Sequence, residues 1–246
     1  MIDRGTTLEA LRDGEIAIVG RIVASSNNAM LVTVTRVCPD PEPEPELVLD
    51  AIYKPTLGER PLDDFPDGTL TRREVAAYLV SEASGWDVVP PTVLRDGPFG
   101  EGMTQAFIEP DPTVDVIAWI NDDDPRLRRM ATFDAAVNNT DRKGGHILPV
   151  DGGRHVYGVD HGVCFSVTPK LRTVLWAWRG EPLLPDELAG LQRIRDALDG
   201  DLGSELRSLL SRSEVRATVR RVDDLLARKL FPLPSPTWPA IPWPPI

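Results

Sequence analysis

The stretch AAVNNTDRKGGHIL, residues 135–148, decides how the chain is read. Leu127, Met130, Phe133 and Val137 recur at helical spacing on its N-terminal side, so a helix over 125–137 runs into the polar residues NNT. Asp141 comes next, His146 stands five residues further on, and a strand begins at HIL. The turn residues Asp151, Gly152 and Gly153 then join HILPV to RHVYGVD as a hairpin. That hairpin delivers Asp160-His161-Gly162 within YGVDHGVCF, so a helix, a loop and a hairpin present two aspartates and a histidine in a fixed order.

Upstream, the pattern is that of strands. Thr6 with Glu9 is spaced as a capping box for a short helix through TLEALRD, with Gly14 as its stop. EIAIVGRIVA and AMLVTVTRV, rich in Val and Ile, read as antiparallel strands joined at SSNN. Alternate prolines and repelling carboxylates make PDPEPEPE at 39–46 a surface loop. LVLDAIYKP is a third strand ending at Lys54 and Pro55. A helix over 71–84 follows, with Val75, Tyr78, Leu79 and Glu82 at helical spacing and Gly85 after it. VVPPTVL and MTQAFIEP are extended segments flanking RDGPFGEG.

Beyond Pro110 the pattern turns helical, first around TVDVIAWI and then over 125–137. Two or three amphipathic helices close the chain, with Leu188, Leu191 and Ile194 on one stripe and Val215, Val219, Val222 and Leu226 on another. The tail FPLPSPTWPAIPWPPI holds too many prolines for a helix or a ladder and is expected to run extended. The expected architecture is therefore α+β and two-lobed: a strand-rich lobe over 1–108, a hinge near 107–112, and a helical lobe over 109–246 whose Pro-rich tail spans 230–246.

Composition narrows the classes. A hydrophobic fraction of 41% over 246 residues supports a packed core, and no apolar run is long enough to span a bilayer. The acidic N-terminal turns lack the basic, then apolar, pattern of a secretory signal, which gives a cytoplasmic expectation. Cys38 and Cys164 lie apart without metal-ligand spacing and read as reduced thiols. A net charge of −11 argues against broad binding to nucleic acid or to an anionic membrane. The clusters Arg126, Arg128, Arg129 and Arg216, Arg220, Arg221 read as solvated helix faces.

Phosphoryl transfer requires a cation on the donor phosphates, carboxylates for metal ions, a carboxylate near the attacking hydroxyl, and a backbone cradle over the phosphates. Each requirement has a candidate. Lys54 ends an apolar strand, a costly place for an ammonium without an anionic partner. Glu74 on the following helix is the expected partner, with Glu82 as the alternative. Asp141 with His146 five residues on has the form of a kinase catalytic loop, and Asp160-His161-Gly162 stands where a metal-binding Asp-Phe-Gly would.

Taken together, SSNNAM, YKP, REVAAYLVSEASGWDVVPPTVL, MTQAFIE, NNTDRKGGHIL, GVDHGVCF and LRTVLWAWRGEPL make the chain resemble the phosphatidylinositol 3- and 4-kinase superfamily over nearly its whole length, and within it a group of small bacterial proteins. The resemblance implies an ATP-dependent kinase. It makes Lys54 the phosphate lysine, Asp141 the catalytic aspartate and His146 and Asp160 the metal residues. Ser25, Ser26, Asn27 and Asn28 become the phosphate loop, and Phe107, Ile108 and Glu109 the strand end facing adenine. The cofactors implied are ATP with Mg²⁺ or Mn²⁺. His146 departs from the usual asparagine, and an imidazole suits manganese better than it suits magnesium.

The acceptor is left open among a protein, a soluble metabolite and a lipid, with no nucleic acid and no stable membrane insertion. The alternatives are a nucleotide-binding pseudokinase, an AMP-transferring kinase-fold protein, and a metal-dependent hydrolase built on Asp141, His146, Asp160 and His161. His155 is expected exposed in a turn and His161 packed, while Trp176 and Trp178 are expected to anchor their segment on the helical base.

Overall fold

Strand alternation and one short helix build the first part of the molecule. The computed structural model describes residues 3–22, 28–36 and 47–246. These divide between two compact units, Met1–Val75 with Pro90–Ile108, and Ala76–Val89 with Glu109–Ile246.

In the first unit, α1 (Arg4–Asp13) precedes β1 (Glu15–Arg21), β2 (Met30–Arg36), β3 (Leu47–Pro55), the start of α2 (Leu70–Ser84), β4 (Thr92–Gly97) and β5 (Gly100–Ala106). The strands form one antiparallel sheet in the order β1-β2-β3-β5-β4. Successive side chains on a strand face opposite ways, so Val32 and Val34 share a face with Ala51 and Tyr53. Leu11 of α1 joins these four and Val93 in one buried cluster. The same alternation sends Lys54 to the other face of a central strand.

Several expectations shift in detail. The cap of α1 is Asp3, whose Oδ1 accepts from the Thr6 N–H, rather than Thr6 itself, because the helix already begins at Arg4. The RDGPFGEG segment is mostly ladder: Arg95 pairs with Gly102 and Gly97 with Gly100, leaving Pro98 and Phe99 as the turn. Residues 23–27 and 37–46, which carry most of SSNN and all of the acidic-proline loop, lie outside the described residues.

The second unit takes the last part of α2, α3 (Val116–Trp119), α4 (Pro125–Val137), the hairpin β6 (Ile147–Val150) and β7 (His155–Gly158), α5 (Pro185–Leu198), α6 (Asp201–Leu209) and α7 (Arg212–Arg228). The sequence set a single boundary after residue 108, whereas residues 76–89 group here. Trp86 fills the space a Cβ at Gly190 would occupy, and Arg193 Nε donates to the Ser84 carbonyl at 2.8 Å. Helix α4 packs on α5, α7 and β7 with Leu127, Met130, Phe133 and Val137 fully buried.

The buried stripe of α7 is Val215, Thr218, Val222 and Leu225, so Val219 and Leu226 are only partly covered. On α5 it is Glu187, Gly190, Leu191, Ile194 and Leu198, with Leu188 half-buried. The arginine clusters are not uniformly solvated. Arg128 is buried on Glu187 at 2.8 Å, and Arg221 donates to the carbonyls of Ala136 and Ser166 at 3.1 Å. Burial pushes the Arg221 guanidinium down to about 10, and its donors serve the carbonyl end of α4. No described helix is long and apolar enough to cross a membrane.

Asp124 starts α4: its carboxylate accepts the Arg126 N–H at 2.8 Å and the Trp119 indole N–H at 3.0 Å. Burial raises its pKa, but the hydrogen bonds from Arg126 and Trp119 outweigh it and hold the group at about 2, below the ordinary 3.8. Its stabilisation is therefore complete above pH 3.8 and is lost as the pH falls towards 2. Asp124→Ala is expected to cost about 1–2 kcal/mol in urea unfolding at pH 7, and the gap to the parent should narrow as the pH falls through that window.

Candidate functional site

In the first unit the site begins with Lys54, which the central position of β3 makes nearly inaccessible to water. Its side chain is 12% exposed and that of Glu74 is 3% exposed, and Lys54 Nζ lies 2.6 Å from Glu74 Oε1. Glu82, the alternative partner, belongs to the second unit. The helix that carries Glu74 is itself fixed by a residue that sequence reading passed over. Glu59 accepts from the Leu70 and Thr71 N–H groups at 2.9 and 2.7 Å, placing a carboxylate at the positive end of α2.

Asn28 lies against the turn that follows β3, its N–H 3.5 Å from the Gly58 carbonyl, and a Cβ at Gly58 would stand 2.6 Å from the Asn28 Cβ. Ser25, Ser26 and Asn27 fall outside the described residues. Phe107 donates its N–H to the Asp50 carbonyl at 3.0 Å, so its backbone donor is used by the sheet rather than presented to a base. Ile108 closes the first unit and Glu109 opens the second.

The second unit holds Asp141, His146 and Asp160 on a loop and a turn that one buried arginine organises. Helix α4 ends at Asn138, left-handed at φ 54°, whose side chain bonds the backbone of Ser166, Thr168 and Lys170. Asn139 reaches back to Asp134 at 3.0 Å and accepts from the Asp141 N–H at 3.0 Å. Arg142 and Asp134 are both fully buried and share two hydrogen bonds of 2.9 Å. Arg142 also donates to the carbonyls of His146 and Val159 at 3.1 Å, tying the loop to the end of β7. A Cβ at Gly158 would come within 2.9 Å of this guanidinium, which is why the strand carries glycine there.

This framework brings the three predicted residues together. Lys143 Nζ stands 3.1 Å from Asp141 Oδ2. His146 Nδ1 is 3.0 Å from the Asp141 carbonyl, an atom that can only accept, so the proton sits on Nδ1. Burial pushes His146 below the ordinary imidazole range, against the raising effect of Asp160, and so favours the neutral ring. Its Nε2 then carries a lone pair, and that nitrogen faces Asp160 Oδ2 at 3.4 Å. Asp160 is held at φ 65°, a left-handed conformation that costs a non-glycine residue energy and fixes where its carboxylate goes.

A neutral imidazole nitrogen and a carboxylate oxygen converging at that distance suit a divalent cation between them. Among the described residues no group of three or more His, Cys, Asp or Glu side chains forms a metal cage. A cation here would take two protein ligands and complete its shell with phosphate and water, which is the usual habit of magnesium in phosphoryl-transfer sites.

The other histidines lie among packing and backbone contacts. His161 is fully buried, edge-on to Phe133 at 5.5 Å and against Arg142. His155 lies on β7 rather than in an open turn, its Nε2 2.9 Å from the Asp87 carbonyl. Trp178 is buried with its indole N–H on Asp123 at 2.7 Å, and Trp176 bonds the Ala240 carbonyl. Asp134, Asn139 and Arg142 were not singled out from sequence. The available signal was Asp134 itself, a carboxylate one residue from Phe133 on the apolar stripe of α4.

Comparison with known proteins agrees with this architecture. The crystal structure of the Helicobacter pylori proinflammatory kinase CtkA superposes with a TM-score of 0.51 at 13% identity, covering 90% of this chain and 94% of that one. The likeness shows a kinase-like α+β fold. No protein-family model matches the chain. Protein Rv2133c of Mycobacterium tuberculosis is 41% identical over 270 residues, covering 95% of this chain and 93% of its own length. The chain belongs to the family of Rv2133c. In this chain the loop of Asp141 rests on the buried pair of Arg142 with Asp134.

Removing one member of a buried pair strands the other charge. Asp134→Ala is expected to lower stability by about 3–5 kcal/mol in urea unfolding, and Asp134→Leu with Arg142→Met together by clearly less. Equal losses in the single and double variants would show that the pair does not hold the loop.

Proposed function

We propose that the chain is an ATP- and divalent-metal-dependent phosphotransferase of the phosphatidylinositol 3-/4-kinase-like kind. The observation that carries this reading is the facing pair of His146 Nε2 and Asp160 Oδ2 beside Asp141, on a kinase-like fold. A divalent ion held by His146 and Asp160 would supply charge neutralisation on the donor phosphates. In the first unit, Lys54, kept in place by Glu74, would be the phosphate lysine. Asp141 would orient the acceptor hydroxyl and receive its proton, and Lys143 sets a cation at that carboxylate. The acceptor is a hydroxyl of a protein, a soluble metabolite or a lipid.

His146, standing where an oxygen ligand is usual, favours a second reading in which the chain binds nucleotide without turning it over. The two separate by turnover. A thermal-shift matrix of ATP, GTP and ADP against Mg²⁺ and Mn²⁺ should show metal-dependent stabilisation, about 2.7 kcal/mol at one hundred times the dissociation constant. Mn²⁺ should serve at least as well as Mg²⁺, and His146→Asn should shift the preference towards Mg²⁺.

Asp141→Asn should then lower ATP turnover roughly 10²- to 10⁴-fold while leaving ATP affinity intact. Asp160→Asn should weaken metal-dependent ATP binding as well as turnover. Binding without turnover above the Asp141→Asn background, with protein, metabolite and lipid acceptors tried, would establish the pseudokinase. No nucleotide-dependent stabilisation with any metal would sink both readings.

A further inference from the structure

The proline-rich tail is not idle on the surface. Residues 238–246, WPAIPWPPI, lie along the segment after the Asp160 turn and reach the loop between Asp141 and His146. The Ala240 carbonyl accepts from the Thr173 N–H at 3.0 Å and from the Trp176 indole N–H at 2.9 Å. The Ile241 carbonyl is 3.5 Å from Arg172, and the Pro245 carbonyl accepts the Gly144 N–H at 2.8 Å. Lys170 Nζ sits 4.2 Å above the Trp238 ring.

Each of these hydrogen bonds runs from the body to a tail carbonyl. That one-way pattern matches the chemistry of the tail, since Pro239, Pro242, Pro244 and Pro245 have no N–H to offer. An extended proline-rich chain presents carbonyls and rings, and proteins that recognise it supply indole N–H donors and aromatic or flat charged surfaces. The groove is also joined to the catalytic loop. Arg142 and the 172–174 segment exchange two backbone hydrogen bonds of 3.1 Å, so the occupant grips Thr173 and Gly144 on either side of Arg142.

We infer that Lys170, Arg172, Thr173, Trp176 and Gly144 form a polyproline-recognition groove, and that residues 238–246 occupy it in cis as a releasable strap over the turn that carries His146. The inference goes beyond the proposed phosphotransfer and does not rest on it, because peptide binding needs neither nucleotide nor metal.

The test uses a chain ending at residue 235 and a fluorescent synthetic peptide of residues 236–246. The peptide should bind the shortened chain saturably and the full chain at least about tenfold more weakly, because a tethered tail competes at a millimolar effective concentration. Trp176→Phe in the shortened chain keeps a ring but loses the indole donor, and should weaken binding about three- to tenfold. Replacing Pro239, Pro242, Pro244 and Pro245 of the peptide by alanine should weaken it further. No binding to a shortened chain that is folded by circular dichroism, or equal affinity with and without the indole N–H, would overturn the inference.

Should the shortened chain fail to fold, the full chain decides. Amide exchange at Gly144 should be about three- to tenfold faster in Trp176→Phe than in the parent, and unchanged exchange would overturn the strap.

Discussion

The interaction on which the rest of the second unit depends is the ion pair of Arg142 with Asp134. Two charges with no exposure to water carry a desolvation cost that their mutual attraction offsets only if the remaining donors are also used. Here they are: the guanidinium meets both carboxylate oxygens and the carbonyls of His146 and Val159. Because each of those partners belongs to a different piece of backbone, satisfying one buried arginine joins α4, the Asp141 loop and the end of β7. Movement of any of the three would leave a buried charge without a partner. The loop that carries Asp141 and His146 is therefore set by the core.

The first unit solves a related problem with different means. Lys54 is carried into an apolar setting by the strand it ends, and Glu74 supplies the opposite charge from a helix whose start Glu59 secures. In both units a candidate side chain has a partner at hydrogen-bond distance. For His146 the partner is the Asp141 carbonyl, and the consequence is chemical as well as geometric. A carbonyl on Nδ1 selects the tautomer that leaves Nε2 able to donate its lone pair, and burial keeps the ring neutral. The proposed metal role follows from that one hydrogen bond.

The fold was legible to the extent that it rests on periodicity and local chemistry. Helix α4 falls at Pro125–Val137 and strand β3 at Leu47–Pro55, as their apolar spacing indicates, because a stripe at a period of 3.6 or 2 has only one way to be buried. The hairpin turn at Asp151, Gly152 and Gly153 is left-handed at all three positions, which the residue types alone suggest. Details that depend on which atom reaches a donor first were not legible. Asp3 displaced Thr6 as the cap of α1, and the covered side of α7 is set by Thr218 and Leu225 rather than by Val219 and Leu226.

What the sequence by itself determined is the set of candidate side chains and their order along the chain: Lys54 at a strand end, Asp141 and His146 on one loop, Asp160 after a hairpin. Spacing conveys this because each local element places its residues without reference to distant ones. What only the tertiary structure decided is which groups act on those side chains. Arg128 and Arg221 read as solvated yet lie among acceptors, Arg142 proves to be the hub of the Asp141 loop, and the tail that seemed featureless seats its carbonyls on Gly144, Thr173 and Trp176. Hydrogen bonds that cross from one element to another leave no periodic trace, since a buried arginine and an exposed one are the same letter until the chain has closed around it.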